Sequence, residues 1–436
     1  MSQRSVGVVI GAGIAGLSAA AAVAPRYERV VLVDRDSLPD TATPRRGVPQ
    51  SHHAHVLLAA GQRALEELFP GLGDDLVKAG AIPFDPGADL GFYRYGAVWK
   101  RVASGLDMVS MTRPLLELKL RQRIAALPHV TIRPQTAVAG LTGAHGRVTG
   151  VVLDDGTELP ADLVVDSSGR GSRSDRWLGA LGLPTPSVVE VKIGIGYATQ
   201  LLRHEPDGLV DGVGILVMPT PPEQKRVGLA LAVEGDHWLV LLGGWHGEHA
   251  PGDPEGFRRY AEGLPEPTIA KLLARAEPVT GIVSLGFPSS RRRRFERLRR
   301  PPAGYLATGD AICSFNPVYG QGMTCAAMEA VELGRLLDRY GEASSAMARE
   351  FYRSAARVIA TPWRFAVGAD FAYPETVGPR PAGMPLLNRY STRLQRTARF
   401  DPDVRRTFTW VQQLVKPPSA LFAPGIVARV LRGRQG

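Results

Sequence analysis

With 436 residues, 44% apolar and 7% aromatic, the chain is long enough for two or three domains and can bury a substantial core. Two cysteines, Cys313 and Cys325, exclude a disulfide framework and a cysteine-rich zinc module, and predict a cytoplasmic protein. The net charge is +10, but only seven of the 52 basic residues are lysines, a bias closer to GC-rich bacterial coding than to a nucleic-acid surface.

Arg4 and the apolar residues up to Ala-Val-Ala at 22–24 imitate a secretory signal, yet the same residues satisfy a more demanding pattern. SVGVVI (5–10) reads as a buried strand, 14–23 as a small-residue helix and RVVLV (29–33) as a second strand, which together make a βαβ unit. Helical patterning returns at 56–68 and 114–126. A hairpin is predicted at 148–159, followed by a buried strand in ADLVVDSSG. Between 188 and 245 the period changes to that of an antiparallel sheet. AGYLATGD and GMTCAAMEAVELGRLLDRY restore strand and helix, and a largely helical tail begins at 345, with 372–386 as a loop inside it. The simplest fold class is α/β, a Rossmann-like domain with an inserted antiparallel β-sheet. No run of about 18 apolar residues predicts a membrane span.

Gly11, Gly13 and Gly16 form G-x-G-x-x-G directly after the first strand, and Asp34 ends the second strand. Gly11 permits the tight turn, Gly13 lets backbone approach a pyrophosphate, Gly16 lets helix and strand pack closely, and Asp34 can accept from ribose hydroxyls. Ile14, Ala15 and Arg35 flank these positions. Far along the chain, GYLATGDAICSFNPVYGQGM puts Gly309 and Asp310 at a strand end. Pro317, Gly320, Gln321, Gly322 and Met323 then lead into a helix whose N-terminus could stabilise a reduced flavin.

These motifs resemble, in order, single-component flavoprotein monooxygenases of the p-hydroxybenzoate hydroxylase fold: GAGIAG with Asp34, TRPLLELKL with Arg113, ADLVVDSSGRGS, and GDAICSFNPVYGQG. The resemblance covers about the first 335 residues. RRGVPQSHHAH, DSSGRGS and FNPVYGQGM look most like bacterial polyether epoxidases and, more distantly, squalene monooxygenase. It implies FAD bound by these residues, with Arg113 at the ribose or pyrophosphate region, Asp310 on the ribityl chain, Pro317 to Gly322 at the isoalloxazine ring, and Asp166 and Gly169 in the cofactor loop. It also implies that Arg46, Gly47, Pro49, Gln50, His53 and His55 pass beside the flavin, with Gln50, His53 and His55 as flavin-side catalytic candidates. His52 is outside that pattern. A helix-capping role for His53 or His55 is the plainer alternative.

The implied division is an FAD-binding domain from 1–85, 112–182 and 291–340, strands from 86–111 and a sheet at 183–290 forming the substrate domain, and a helical region at 341–436. Tyr197, Met218, Trp238 and Trp245 are candidate substrate-lining residues. The implied activity is alkene epoxidation of an apolar polyene, polyketide or terpenoid precursor through a flavin C4a-hydroperoxide, with molecular oxygen as co-substrate. Hydroxylation of an aromatic or indole-like substrate, or prenyl-chain reduction, are the alternatives. No side chain stands out as a base for phenol ionisation, which favours an alkene. In aromatic hydroxylases of this fold an Asp-Gly pair precedes Ser and Arg. Here Ser168 precedes Gly169 and Arg176 falls one place late, so NADPH or NADH could act directly or through a separate flavin reductase.

Other readings are weaker on the residues. A metal at His52, His53 and His55 would need partners such as His246 and His249, and no metal is expected. A halogenase would need a W-x-W-x-I-P motif, whereas WLVLLGGW has other spacing and Lys78 lacks context. RRRRFERLRR at 291–300 reads as a solvated basic turn rather than a nucleic-acid patch. SALFAPGIVARVLRGR reads as a docked helix or frayed tail rather than a membrane anchor.

Overall fold

The computed structural model describes residues 5–203 and 209–433; Arg4 of the signal-like segment and Arg434 of the last basic run lie outside them. Five strands form a wholly parallel sheet in the order Tyr305–Ala307, Leu163–Asp166, Val6–Ile10, Arg29–Val33, Val130–Arg133. The three central strands, Leu163–Asp166, Val6–Ile10 and Arg29–Val33, are largely apolar and buried on both faces, while Val130–Arg133 at the edge is half-buried to exposed. The helix Ile14–Val23, almost entirely small and apolar, packs against both Arg113–Ala125 and Gly322–Tyr340.

A second, eight-stranded sheet runs Cys313–Ser314, Val283–Arg293, Val188–Arg203, His237–Gly244, Arg226–Val233, Gly214–Val217, Leu90–Arg94, Ala97–Val98. It is antiparallel except where Gly214–Val217 runs parallel to Leu90–Arg94. Only part of the 86–111 segment joins it. Met108–Ser110 pairs instead with Ile82–Phe84 in a separate two-stranded ladder. At the other edge Cys313–Ser314, which follows the GD turn, pairs with Arg291 and Arg292 and ties the two sheets together.

This sheet has two unlike faces, and its register assigns every residue to one of them, because directly opposed residues share a side. Trp238, Val240 and Leu242 share one face with Ala198, Leu202 and Ala230 and are packed under the helices Pro254–Glu262 and Thr268–Arg275. Packing there is tight: a Cβ on Gly228 would come within 2.6 Å of Leu264 and 2.8 Å of Ile269. The opposite face carries a straight row, Thr199–Leu241–Leu229–Leu216–Phe92, across five strands. Its three leucines are only half-buried.

The basic run at 291–300 is not a solvated turn. Arg291–Arg293 complete a strand, and Arg292 and Arg293 are buried. The tail forms the helices Ser345–Asp370, Met384–Ala398, Pro402–Gln412 and Pro424–Arg432, so the predicted loop ends at Gly383. Among the described residues no helix is long and apolar enough to cross a membrane.

Candidate functional site

The glycine-rich turn is built as its spacing requires. Gly11 has φ +98°, and a Cβ there would meet the Ser167 carbonyl at 2.7 Å; a Cβ on Gly16 would lie 1.7 Å from the Gly11 carbonyl oxygen. Gly13 differs. Around it the first atoms met are the Arg113 and Arg45 guanidiniums, at 3.6 and 3.9 Å, so the turn faces two cations across a narrow gap. The Ala12 N–H donates to Asp34 Oδ2 at 2.6 Å and fixes the buried carboxylate beside the turn.

Arg113 is the first residue of its helix, set there by the Thr112 cap. Its Nη1 donates to His55 Nε2 at 3.3 Å, and its Nε lies 3.7 Å from Glu117 Oε2 without a hydrogen bond. His55 Nδ1 is 2.9 Å from the His53 carbonyl, which only a protonated nitrogen can approach as a donor, so the ring is the Nδ1–H tautomer and accepts from Arg113. Burial and then Arg113 push the His55 imidazole down to about 3, which keeps it neutral. Neither His53 nor His55 caps the next helix, which starts only at Ala59 after Leu58. His52 is exposed.

At the far wall Gly309, at φ +59°, lets the GD turn sit against Ala15, where a Cβ would be 2.8 Å away. Asp310 is thereby held next to the glycine turn, its carboxyl pushed up by burial and eased by Arg113 and Arg170. Arg293 clamps this turn to the DSSGRGS loop: Nη1 donates to the Ala311 carbonyl at 3.0 Å and Nη2 to that of Ser172 at 2.8 Å. The loop Asn316–Gln321 then leads into the helix Gly322–Tyr340, with Gly320 at φ +64° and Met323 buried in the first turn.

Several expectations change. Arg35 and Arg46 are exposed, and the buried arginine is Arg45, which pairs with Glu117 at 2.5 Å, Asp36 at 3.2 Å and Asp34 at 3.3 Å. Gly47 gives its N–H to Asp36 at 2.6 Å. Asp166 does not face the gap. It is fully buried and accepts from Ser168 N–H and Oγ, Ser172 Oγ and Tyr305 Oη, so it shapes the loop around Gly169 from beneath. Trp238 is on the helix-covered sheet face. Trp245 is turned away into a bond with Asp370 (Nε1 to Oδ1, 3.0 Å), and Met218 is buried at the end of its strand. Gln50 is half-buried on the short 3₁₀ turn Pro49–His52.

Tyr197 and His53 do meet. Their rings are edge-on at 4.6 Å, and His53 Nδ1 is 2.8 Å from Thr199 Oγ1 at the polar end of the leucine row. His53 Nε2 is buried with no hydrogen-bond partner, and burial, then His52, lowers its imidazole to about 4. Thr199 and Arg45 escaped sequence reasoning. Glu117 escaped as well, although its place four residues after Arg113 on one helix face was a signal that could have found it. Among the described residues no group of three metal-ligating side chains forms, and His246 bonds Thr376 while His249 bonds the Gly194 carbonyl.

The residues present fit a dinucleotide with a flat ring system. A glycine cradle faces two guanidiniums, and Arg113 Nε, His53 Nε2 and Gln321 Oε1 are buried polar atoms lacking partners.

No family model matches the chain. Protein Rv3254 of Mycobacterium tuberculosis is 32% identical over 447 residues, covering 98% of this chain and 94% of that protein. This chain belongs to the Rv3254 family. Two solved structures share the fold of this Rv3254-family member. PqsL, a probable FAD-dependent monooxygenase from Pseudomonas aeruginosa, superposes with TM-score 0.63 at 19% identity, over 85% of this chain and 98% of its own. 2-Methyl-3-hydroxypyridine-5-carboxylic acid oxygenase gives 0.62 at 20%, over 84% and 90%. The fold is that of p-hydroxybenzoate hydroxylase.

Proposed function

We propose that the protein is an FAD-dependent monooxygenase acting on an apolar substrate. The observation that carries this reading is the convergence of the glycine turn, Asp34, Arg113 and Asp310, from which His55 and His53 lead to Thr199 at the end of the leucine row of the large sheet. Gly13 and the N-terminus of Ile14–Val23 would receive the pyrophosphate with Arg113, Asp34 a ribose, Asp310 the ribityl chain, and the loop Pro317–Gly322 the ring. Bound FAD would supply the oxygen chemistry, drawing on molecular oxygen and on NADPH or NADH, directly or through a flavin reductase.

The chain's own part is to bind, orient and exclude water. Leu216, Leu229 and Leu241 offer a floor without hydrogen-bonding groups, which suits a polyene, polyketide or terpenoid chain and alkene epoxidation. A specific feature supports the second reading, hydroxylation of an aromatic substrate. His53 Nε2, neutral and unpartnered, could accept a phenol proton while Nδ1 donates to Thr199. This supplies the base that no residue pattern indicated.

The test is to purify the protein, record its flavin spectrum, and follow anaerobic reduction by NADPH and by NADH. Bound flavin is expected. A colourless protein that cannot be reconstituted with FAD overturns the reading, whereas flavin that neither nucleotide reduces assigns reduction to a partner.

A further inference from the structure

The last fifty described residues carry much of the molecule's charge and exposed apolar surface. Between Met384 and Gly433 stand nine basic side chains and only two acidic ones, Asp401 and Asp403, against a net charge of +10 for the whole chain. Both acids are already paired, Asp401 with Arg429 at 3.1 Å and Asp403 with Arg429 at 2.6 Å. Of the nine large hydrophobic side chains exposed among the described residues, four lie in this segment: Leu386, Phe400, Phe422 and Leu431.

Three of the four lie along one row. Leu386, Tyr390 and Arg393 share a face of the helix Met384–Ala398 at spacings of four and three. Tyr390 stacks on Phe422 with ring centroids 4.8 Å apart and donates its hydroxyl to the Leu421 carbonyl at 2.6 Å. Arg393 donates to the carbonyls of Val430 and Leu431 at 2.9 and 2.6 Å. The helix Pro424–Arg432 is therefore docked through its buried Val430, while Leu386 (76% exposed), Phe422 (48%) and Leu431 (58%) remain outside, flanked by exposed Arg389 and Arg432.

We propose that this face docks the protein on an anionic phospholipid surface, with Leu386, Phe422 and Leu431 entering the headgroup boundary and Arg389 and Arg432 meeting lipid phosphates. The charge is complementary to anionic headgroups, and the bare apolar side chains are what such a boundary receives. A nucleic acid would use the arginines but leave the leucines and Phe422 in water, so it is the less suitable occupant. The interaction is peripheral, since the helices are short and stay packed on the protein.

The experiment is co-sedimentation of the full chain with phosphatidylcholine vesicles, with and without phosphatidylglycerol, at low and high salt. Binding to the anionic vesicles should exceed that to neutral ones and fall with salt. R389Q/R432Q should weaken it by about tenfold or more with thermal melting unchanged, because both side chains are exposed; L386S/F422S/L431S should weaken it at either salt level, and F422S alone reports any change in melting that comes from losing the Tyr390 stack. Equal sedimentation with both vesicle types, or undiminished binding by the leucine–phenylalanine variant, overturns the proposal. Retardation of duplex DNA by the wild type and by the apolar variant alike, without vesicle binding, also overturns it.

Discussion

The glycine-turn end and the large sheet are made of different material. Around Gly11 and Gly16 the chain offers backbone, and the spaces that matter are those a Cβ would fill. On the large sheet it offers side chains, and what matters is which of two faces each one occupies. Errors therefore have different consequences. One added methyl group at the first site collides with a carbonyl that cannot move, while a changed side chain on the sheet acts according to its face.

The largest expected effect lies at the first site. Gly16→Val puts side-chain atoms into the Gly11 carbonyl, already 1.7 Å from a bare Cβ, and should abolish flavin retention. Flavin absorbance of the purified variant checks this. A soluble G16V protein with a full flavin complement would show that the turn is not the binding element.

The contrast between the regions also explains what could be read in advance. Gly11, Gly16 and Gly309 were legible because steric demands at a tight turn are local, so residue type and spacing suffice. Arg113 and Asp310 were legible because each sits at a fixed offset from a helix start or strand end. The exposure of Arg35 and Arg46 and the helix-covered side of Trp238 were not legible, because facing is decided by register and by neighbours far along the chain. Arg45, not Arg46, turns inward because Glu117, 72 residues later, receives its Nε–H. Trp238 faces the helices because Leu202 and Ala232 oppose it. The buried Arg292 and Arg293 show the same limit: a charge run looks solvated until its partners, such as Asp175 and the Ser172 and Ala311 carbonyls, are brought up by the fold.

A pair of substitutions would sharpen the distinction between the sheet's faces. Trp238→Ala removes a packed side chain beneath two helices and should cost about 3–5 kcal/mol in chemical denaturation. Leu241→Ala, three residues on and on the half-buried face, should cost about 1 kcal/mol, while changing how the flavin spectrum responds to added apolar ligands. Similar stability losses in the two variants would mean that the leucine row is core rather than cavity floor.

The smallest effect concerns the junction between the two regions. Asp370, fully buried at the end of a tail helix, accepts from Trp245 Nε1 at 3.0 Å after the sheet strand and from Asn316 Nδ2 at 2.8 Å at the start of the loop Asn316–Gln321. Burial, only partly offset by those bonds, raises its carboxyl to about 7. The unfolded chain releases that proton near pH 4. Between about pH 4 and 7 the folded state therefore binds more protons than the unfolded one, and this carboxyl's contribution to stability declines as pH rises, levelling above 7. Asp370→Asn keeps an acceptor for both donors but cannot titrate, so the stability difference between wild type and variant should shrink in the wild type's disfavour across that window. Glu329, raised to about 8 by burial, slopes the same way in both proteins and cancels in the comparison. A difference that stays constant from pH 4 to 7 would show that the carboxyl is already ionised, in which case the sheet and the loop Asn316–Gln321 are joined through a charge rather than through a neutral acid.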